Sequence, residues 1–417
     1  MRIIPIGVVV VAAAAATVWG PRVSADAEQA QAPAVQALAS PAGARSEAPQ
    51  LTVSSRGVLL SWIEREGTTA SLKFAERTAA GWSAVRTVAS GDNWFVNWAD
   101  VPSVVRLADG SLVGHWLQKS GASTYAYDVR LARSTDNGAT WSPSVTPHHD
   151  GTQTEHGFAS LFQVPGAGLG LVWLDGRQTA PAGGAGHDGH GGGAMTVRYA
   201  AFDGKWKQSA DMPIDTRVCE CCPTTAAVTT DGVIAAFRNR TEDEIRDIYV
   251  SRLENGKWSE PRAVHNDNWK ISGCPVNGPM LSARGRDVVI AWFNGKEEAG
   301  RVNVAFSKDA GRTFGAPIRV DDAGTVGRVD VELLADGSAM TTWIELVAGK
   351  TEFRARRVQP SGAKGAAMTI AAVANNRTSG YPRLARHGDE FVFAWTEVAA
   401  GAPGARAATQ VRTAVAR

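Results

Sequence analysis

The sequence has 417 residues, of which 44% are hydrophobic, enough for a large buried core. Its 43 basic residues nearly balance its 41 acidic ones, so the formal net charge of +2 gives no basis for expecting a nucleic-acid partner. The 44 glycines and 14 tryptophans favour many short strands joined by tight turns over long helices.

The first 27 residues have the composition of a secretory signal peptide. Arg2 supplies a positive start, an almost wholly apolar stretch follows, and small residues around Ala25 and Ala27 offer two A-x-A-like cleavage sites. Cleavage there predicts a secreted or periplasmic protein that keeps no membrane span. An uncleaved anchor is the alternative, although the apolar stretch is short for a span. The Ala/Pro-rich residues 28–33 are expected to form a flexible leader, and residues 34–417 a single folded domain.

One pattern recurs along this domain: a strand, a short turn, and a second strand that ends in an aromatic residue, one further residue and a polar residue. The copies are Trp62-Ile63-Glu64, Trp116-Leu117-Gln118, Trp173-Leu174-Asp175, Phe237-Arg238-Asn239, Trp292-Phe293-Asn294, Trp343-Ile344-Glu345 and Trp395-Thr396-Glu397. A period of roughly fifty to sixty residues with four strands per unit is typical of a β-propeller. We therefore predict an all-β propeller with seven four-stranded blades; six blades and an irregular unit are the alternative.

The two ends of the chain predict how the ring closes. The last unit has strands at 381–386, 391–396 and 410–416 and then ends, so it lacks a fourth strand. Residues 34–39 (AVQALA) resemble the fourth strand of the first unit, 84–89 (AVRTVA). We expect the N-terminal strand to complete the last blade, which would remove exposed strand edges. We also expect the protein to be a monomer.

Two turns that follow the third strand of a unit share the pattern S-x-D-x-G-x-T-W/F. They are residues 134–141 (STDNGATW) and 307–314 (SKDAGRTF). This pattern is the Asp-box, or BNR repeat, and the chain resembles the sialidase-like propeller superfamily over essentially its whole mature length. In such a turn the Asp caps its own backbone, the Gly takes a left-handed conformation and the aromatic packs between blades. The resemblance implies the fold but little about chemistry, because the box lies away from the active face.

The opposite face of the predicted ring gathers the soft metal ligands of the sequence. All four cysteines come just before channel-lining strands of units four and five, and a long Gly/His loop at 180–194 lies next door. The candidate ligands are Cys219, Cys221, Cys222, Cys274, His187, His190 and His156. Copper(I) favours thiolate ligands, which imidazoles can join.

The cysteines leave three hypotheses open. Four cysteines in an exported protein are typical of two disulfides that staple adjacent blades, although a bond between the adjacent Cys221 and Cys222 would be strained. A Cys/His cluster would instead bind a soft metal such as copper. A redox-active pair would serve thiol–disulfide exchange.

The resemblance to sialidases also implies a catalytic set. A working sialidase needs three arginines that grip the substrate carboxylate, a Tyr nucleophile activated by Glu, and an Asp for acid–base work. Residues of these types near the channel are Arg328, Arg383, Tyr381, Glu397 and Asp100, with Glu155 as a second acid. Because only two arginines match, the triad is incomplete.

We therefore expect a propeller that binds a small ligand, a metal ion or a glycan on its channel face, with copper as a specific option. A sialidase-like glycoside hydrolase is the alternative if the protein is an enzyme. A disulfide-stapled interaction scaffold is the third option.

Overall fold

In the computed structural model, the described residues are 1, 34–164, 168–180, 193–209, 211–296, 299–322, 324–399 and 408–417. The predicted signal peptide after Met1 and the leader lie outside them. The described parts consist of β-strands, turns and irregular segments, with a 3-10 turn at Arg377–Ser379. Within these parts of the chain, no helix is long and apolar enough to cross a membrane.

Seven antiparallel sheets follow one another along the chain, and the first strand, β1 (Gln36–Leu38), belongs to the last of them. Blade 1 contains β2 (Ser46–Val53), β3 (Val58–Glu66), β4 (Thr69–Thr78), β5 (Gly81–Trp82) and β6 (Arg86–Gly91). Blade 2 contains β7 (Ser103–Arg106), β8 (Leu112–Lys119) and β9 (Tyr127–Ser134), and its fourth strand is reduced to a bridge between Leu131 and Val145. Blade 3 contains β10 (His156–Val164), β11 (Gly168–Asp175), β12 (Met195–Phe202) and β13 (Met212–Val218).

The remaining blades repeat this order. Blade 4 contains β14 (Thr225–Thr229), β15 (Gly232–Arg238), β16 (Ile248–Glu254), β17 (Lys257–Trp258) and β18 (Arg262–Ala263). Blade 5 contains β19 (Met280–Arg284), β20 (Asp287–Asn294), β21 (Arg301–Ser307) and β22 (Ile318–Arg319). Blade 6 contains β23 (Thr325–Leu333), β24 (Ala339–Val347), β25 (Lys350–Val358) and β26 (Met368–Ala372). Blade 7 contains β27 (Arg383–His387), β28 (Glu390–Val398) and β29 (Thr409–Ala416).

The ring closes through the N-terminal strand, as predicted. Strand β1 pairs with β29 in antiparallel register, with Ala37 opposite Ala414. Blade 1 also bonds to blade 7 directly, since the Arg77 guanidinium donates to both carboxylate oxygens of Glu390 at 2.9 and 3.0 Å. The prediction of a seven-bladed propeller is confirmed, and the six-bladed alternative is wrong.

The repeated aromatic residue at the end of the second strand is a core position. Trp62, Trp173, Trp292 and Trp343 are fully buried. Trp62 packs in one cluster with Ala394 of blade 7, so these rings fill the space between blades. The burial of one such side chain is worth about 1.5–3 kcal/mol.

The polar residue that follows two positions later has a structural role in at least two blades. Residues i and i+2 of a strand lie on the same face. The indole N–H of Trp62 donates to Glu64 at 2.9 Å, and that of Trp173 donates to Asp175 at 2.9 Å. In these blades the carboxylate satisfies a buried donor.

Both Asp-box turns have the same hydrogen bonds. In the second box the Asp309 carboxylate accepts the backbone N–H and the hydroxyl of Thr313 at 2.8 and 2.6 Å, while the Ser307 hydroxyl accepts the N–H of Gly311 at 2.9 Å. Burial raises the pKa of Asp309, but these hydrogen bonds together outweigh it and lower this pKa to about 2. In the first box, Trp141 contacts Phe74 of the preceding blade edge-on at 6.1 Å, as expected for a ring between blades.

Replacement of the Asp-box glycine, Gly311→Ala, should destabilise the protein by about 2–4 kcal/mol. Gly311 has a φ of +79°, and an added Cβ would lie 2.2 Å from Cδ1 of the buried Ile234. The measurement is urea unfolding of the two proteins. Gly315→Ala is the matched control, because its Cβ would meet nothing closer than 3.7 Å. Equal stability of the two variants would contradict the assigned geometry.

Candidate functional site

Three thiols meet where the chain passes from blade 3 to blade 4. Cys219, Cys221 and Cys222 lie in the short connection between β13 and β14, which the backbone N–H of Cys219 ties to the Arg238 carbonyl at 2.9 Å. The Cys219 sulfur lies 3.7 Å from that of Cys221 and 3.5 Å from that of Cys222. All three sulfurs lie within 4.8 Å of one another, and Cys219 and Cys222 are buried.

The three thiols of Cys219, Cys221 and Cys222 form what we call the thiol cluster, and the fourth cysteine lies at its edge. Cys274 lies in the connection that enters blade 5, is exposed, and its thiol contacts that of Cys221. The connections into blades 4 and 5 therefore meet, as their positions in the sequence predicted. All four cysteines are free thiols in this structure.

Two donors face the sulfurs of the thiol cluster. Arg246 Nη1 lies 3.2 Å from the Cys219 sulfur, and the backbone N–H of Asn277 donates to the Cys222 sulfur at 3.4 Å. Burial raises the pKa of Cys219, but hydrogen bonds with the other two thiols and the Arg246 charge outweigh it, so that this pKa lies well below its usual value. Burial raises the pKa of Cys222. The pocket thus stabilises a thiolate at Cys219.

Arg246 is itself held by carboxylates. Its guanidinium lies 2.9 Å from Glu220 and 2.8 Å from Glu244. Glu220 stands between two of the cysteines in the sequence and also pairs with Arg240. The cationic donor to Cys219 is therefore fixed in place by charge-assisted hydrogen bonds.

Arg238 joins the chain segments that surround the thiol cluster. Its buried guanidinium donates to the carbonyls of Asn277, Arg246 and Phe293 at distances between 2.6 and 3.0 Å. The same cation stacks on Trp269 at 5.0 Å. Two of these carbonyls belong to the residues that donate to the sulfurs, so Arg238 positions the donors of the site.

A second polar group lies in the channel. The Tyr127 hydroxyl is 3.0 Å from an Asp100 carboxyl oxygen and 2.7 Å from one of Glu155. Burial raises the pKa of Asp100 to about 7 and, with repulsion from Asp100 and Cys274, that of Glu155 to about 8. Because a tyrosine has one hydroxyl proton, one of the two carboxyl groups carries a proton when both contacts are hydrogen bonds.

The buried Asp100 should make stability depend on pH. Its pKa is about 7 in the folded protein but about 4 in an unfolded chain. The folded state binds this proton more tightly, so the stability it gives is fully present below about pH 4 and is lost as the pH rises to about 7. Wild type should therefore lose stability relative to Asp100→Asn over this range, which unfolding at several pH values measures. A constant difference between the two proteins would contradict a buried neutral Asp100.

The expected sialidase residues have other partners. The Arg328 guanidinium donates to the hydroxyl of Ser379 at 2.7 Å and to the carbonyls of Gly380 and Asn376 at 2.9 and 3.1 Å. It also stacks on Trp98 at 4.7 Å. Arg328 thus positions the turn before blade 7, and these bonds occupy three of its five N–H donors.

The predicted nucleophile and its base are similarly engaged. The buried Tyr381 donates its hydroxyl to the Val276 carbonyl at 2.5 Å, whereas the half-exposed Glu397 pairs with Arg412 at 2.7 Å. Arg383 and Asp100 line one narrow cavity in the channel. The structure therefore brings together the arginine and the acid, but gives Tyr381 and Glu397 separate partners.

The three histidines expected at the thiols have different outcomes. His187 and His190 fall outside the described residues, and their role stays a prediction. His156 lies in a cluster with His148 and the carboxylates of Asp128 and Asp150.

Sequence reasoning missed several residues around these groups. Arg238, Arg246, Asn277 and Tyr127 act through contacts between distant segments, which no local pattern shows. His148 stands in the sequence His148-His149-Asp150 shortly before His156, and this concentration of metal-ligand types was a visible signal.

Comparisons with known proteins support the fold. No family model matches the chain, and no curated protein is similar to it at a significant level. A protein of unknown function from Dyadobacter fermentans is 13% identical with a TM-score of 0.50, over 90% of this chain and 95% of that one. The polysaccharide lyase Uly1 is 10% identical with a TM-score of 0.53, over 88% and 89%. The NanB sialidase from Streptococcus pneumoniae is 8% identical with a TM-score of 0.46, over 87% and 91%.

The seven blades form an all-β propeller, and the two Asp-box turns are the features by which the chain resembles the sialidase-like propellers. The TM-scores of 0.50 and 0.53 indicate a shared fold, and at identities this low they carry no activity from one protein to another.

Proposed function

We propose that the protein binds a soft metal ion, copper(I) foremost, through the thiolates of Cys219, Cys221 and Cys222. The observation that supports this most is the convergence of three sulfurs within 4.8 Å in a largely buried pocket. Thiolates are the ligands that copper(I) selects over imidazole and carboxylate.

The spacing of the sulfurs suits one ion. With metal–sulfur bonds of about 2.3 Å, three sulfurs in a trigonal plane lie about 4 Å apart. The separations of 3.5 and 3.7 Å in the structure are close to that value. A disulfide requires about 2.05 Å, so both contacts are far too long for one.

Two hydrogen-bond donors beside the pocket favour bound thiolates. Arg246 and the N–H of Asn277 face two sulfurs, and hydrogen bonds of this kind tune and orient metal ligands. Cys274, in contact with Cys221 and exposed, is placed to pass an ion from solvent to the buried sulfurs. His187 and His190 remain predicted additional ligands.

Thiol–disulfide exchange is less well supported by this geometry. A redox-active cysteine must be reached by its partner. Cys219 and Cys222, which have the C-x-x-C spacing, are each 1% exposed. For exchange at the exposed Cys274, the resolving thiol would have to be Cys221, which it contacts.

The experiment is a titration of the reduced, anaerobic protein with copper(I) in the presence of a competing chromogenic chelator. The proposal predicts that one equivalent leaves the chelator and that the number of reactive thiols falls. Failure of the fully reduced protein to compete for copper(I) would overturn it. Four oxidised cysteines in protein purified from its native compartment would favour the stapled scaffold.

The glycosidase alternative has its own test. We expect no turnover of a fluorogenic sialoside between about pH 4 and about pH 8, because Arg328 donates to backbone carbonyls and Tyr381 and Glu397 have separate partners. Turnover that is lost in Arg383→Lys, with the unfolding midpoint unchanged, would establish a glycosidase.

A further inference from the structure

Two buried imidazoles stack beside the junction of blades 2 and 3. His148 lies in the connection between β9 and β10, and His156 begins β10. Their rings are parallel within 3°, with centroids 3.7 Å apart, and their side chains are 6% and 0% exposed. Neither residue has a part in the thiol site described above.

One nitrogen of each ring faces Asp150. His148 Nδ1 and His156 Nε2 lie 3.4 and 3.2 Å from the same oxygen, Oδ2, of Asp150. Asp150 accepts in turn from the hydroxyl and the N–H of Thr152, which holds the carboxylate in place. An N–H directed at a carboxylate fixes the tautomer of an imidazole and leaves the opposite nitrogen with a free lone pair.

The opposite nitrogens converge on one carboxylate. His148 Nε2 and His156 Nδ1 are buried and have no hydrogen-bond partner in the described parts of the chain. They lie 3.8 and 3.6 Å from Asp128 Oδ1, beyond hydrogen-bonding distance. Other buried side-chain atoms of the described residues also have no partner, but here two such atoms face the same carboxylate, which leaves a place for an ion.

The charge of the surroundings also lacks a partner. The cluster contains four carboxylates and two guanidinium groups, those of Asp128, Asp150, Asp175, Asp211, Arg177 and Arg198. With both imidazoles neutral, the sum of these charges is −2, which a divalent cation would balance. Although burial lowers the pKa of His156, Asp128, Asp150 and Asp175 raise it to about 9, so a proton and a metal ion compete for this ring.

We infer that His148 Nε2, His156 Nδ1 and Asp128 Oδ1 form a second metal site, for a divalent transition metal such as zinc. Two imidazoles and a carboxylate form a borderline ligand set that suits zinc, in contrast to the soft thiol cluster. The three ligand atoms lie within 4.8 Å of one another. An imidazole nitrogen donates in the plane of its ring, so the two rings, which are parallel here, would have to tilt to bind one ion. A tetrahedral ion with bonds of about 2.0–2.1 Å would hold its ligand atoms about 3.4 Å apart.

The site would join two blades. Asp128 belongs to β9 of blade 2, His156 to β10 of blade 3, and His148 to the segment between them. Blade 2 has only a bridge in place of its fourth strand. A bound ion would therefore stabilise the ring at this place, since a ligand that binds only the folded state raises the unfolding midpoint.

The test is equilibrium dialysis of zinc against the mature protein with all four cysteines changed to serine. These changes remove the thiol cluster, so the result does not depend on the proposed copper site. We expect one bound zinc ion per protein and a thermal unfolding midpoint that zinc raises by a few degrees. The variant His148→Ala should lower the zinc affinity by more than about a hundredfold. His149→Ala is the matched control, because this neighbouring histidine is exposed and should leave binding unchanged.

Asp128→Asn keeps the volume of the side chain and should also weaken zinc binding. The unfolding midpoint of this variant without zinc should be close to that of its parent.

Cobalt(II) added to the protein with intact thiols gives a second measurement that needs no variant. A weak visible absorption band that saturates with added cobalt(II), with no sulfur-to-cobalt charge-transfer band until the thiols also bind, supports nitrogen and oxygen ligands. Absence of bound zinc, or equal zinc affinity in the parent, His148→Ala and Asp128→Asn, would overturn the inference and leave protons as the partners of the two imidazoles.

Discussion

The variant Cys222→Ser is expected to lose copper(I) affinity by more than about a hundredfold, since loss of a ligand costs more than loss of a supporting hydrogen bond. Cys222 is fully buried, its sulfur is 3.5 Å from that of Cys219, and the N–H of Asn277 faces it. A serine hydroxyl fits the same space but is a poor ligand for a soft ion. Competition with a chromogenic copper(I) chelator measures the change.

Cys274→Ser is the matched control for this prediction. Cys274 is exposed and contacts only the edge of the thiol cluster, so its loss should reduce copper(I) affinity far less and slow metal uptake instead. Equal affinities for Cys222→Ser and wild type would show that the buried sulfurs are not the ligands.

Arg238→Met is expected to destabilise the protein by about 3–5 kcal/mol. The guanidinium is buried and satisfies the carbonyls of Asn277, Arg246 and Phe293. Methionine fills part of the volume but leaves these three acceptors without a donor, and an unpaired buried acceptor costs about 1–3 kcal/mol. Denaturant unfolding gives the free energy.

The same variant should also weaken copper(I) binding, because the two residues that donate to the sulfurs are held by Arg238. Arg217→Met serves as the control: its side chain is 44% exposed and pairs only loosely with Glu242 at 3.6 Å. We expect a change below about 0.5 kcal/mol there. Similar losses for both arginines would refute the positioning role of Arg238.

The fold was predictable because its causes are local and repeated. Each second strand ends in an aromatic residue that must be buried, as at Trp62 and Trp292, and each Asp-box fixes its own turn through bonds within eight residues. The closure by β1 followed from a missing fourth strand in the last unit. The reduced fourth strand of blade 2 was not foreseen: residues 142–150 have irregular backbone and form only the bridge at Val145.

The candidate site was predictable only in its cysteines. Their positions before β14 and β19 placed them on one face, and the fold brings Cys221 to Cys274. Arg246 and Asn277 reach the sulfurs through the geometry of the blades, which spacing in the sequence does not encode. His156 was expected beside the thiols because it precedes a channel strand, but its side chain points to Asp128 and Asp150.

X-ray absorption at the copper edge of the reduced protein, loaded with one equivalent of copper(I), identifies the ligands of the bound ion. We expect a first shell of two to three sulfur atoms that is replaced by a mixed or lighter shell in Cys222→Ser. A first shell of nitrogen and oxygen atoms only, with all four thiols still titratable, would contradict it.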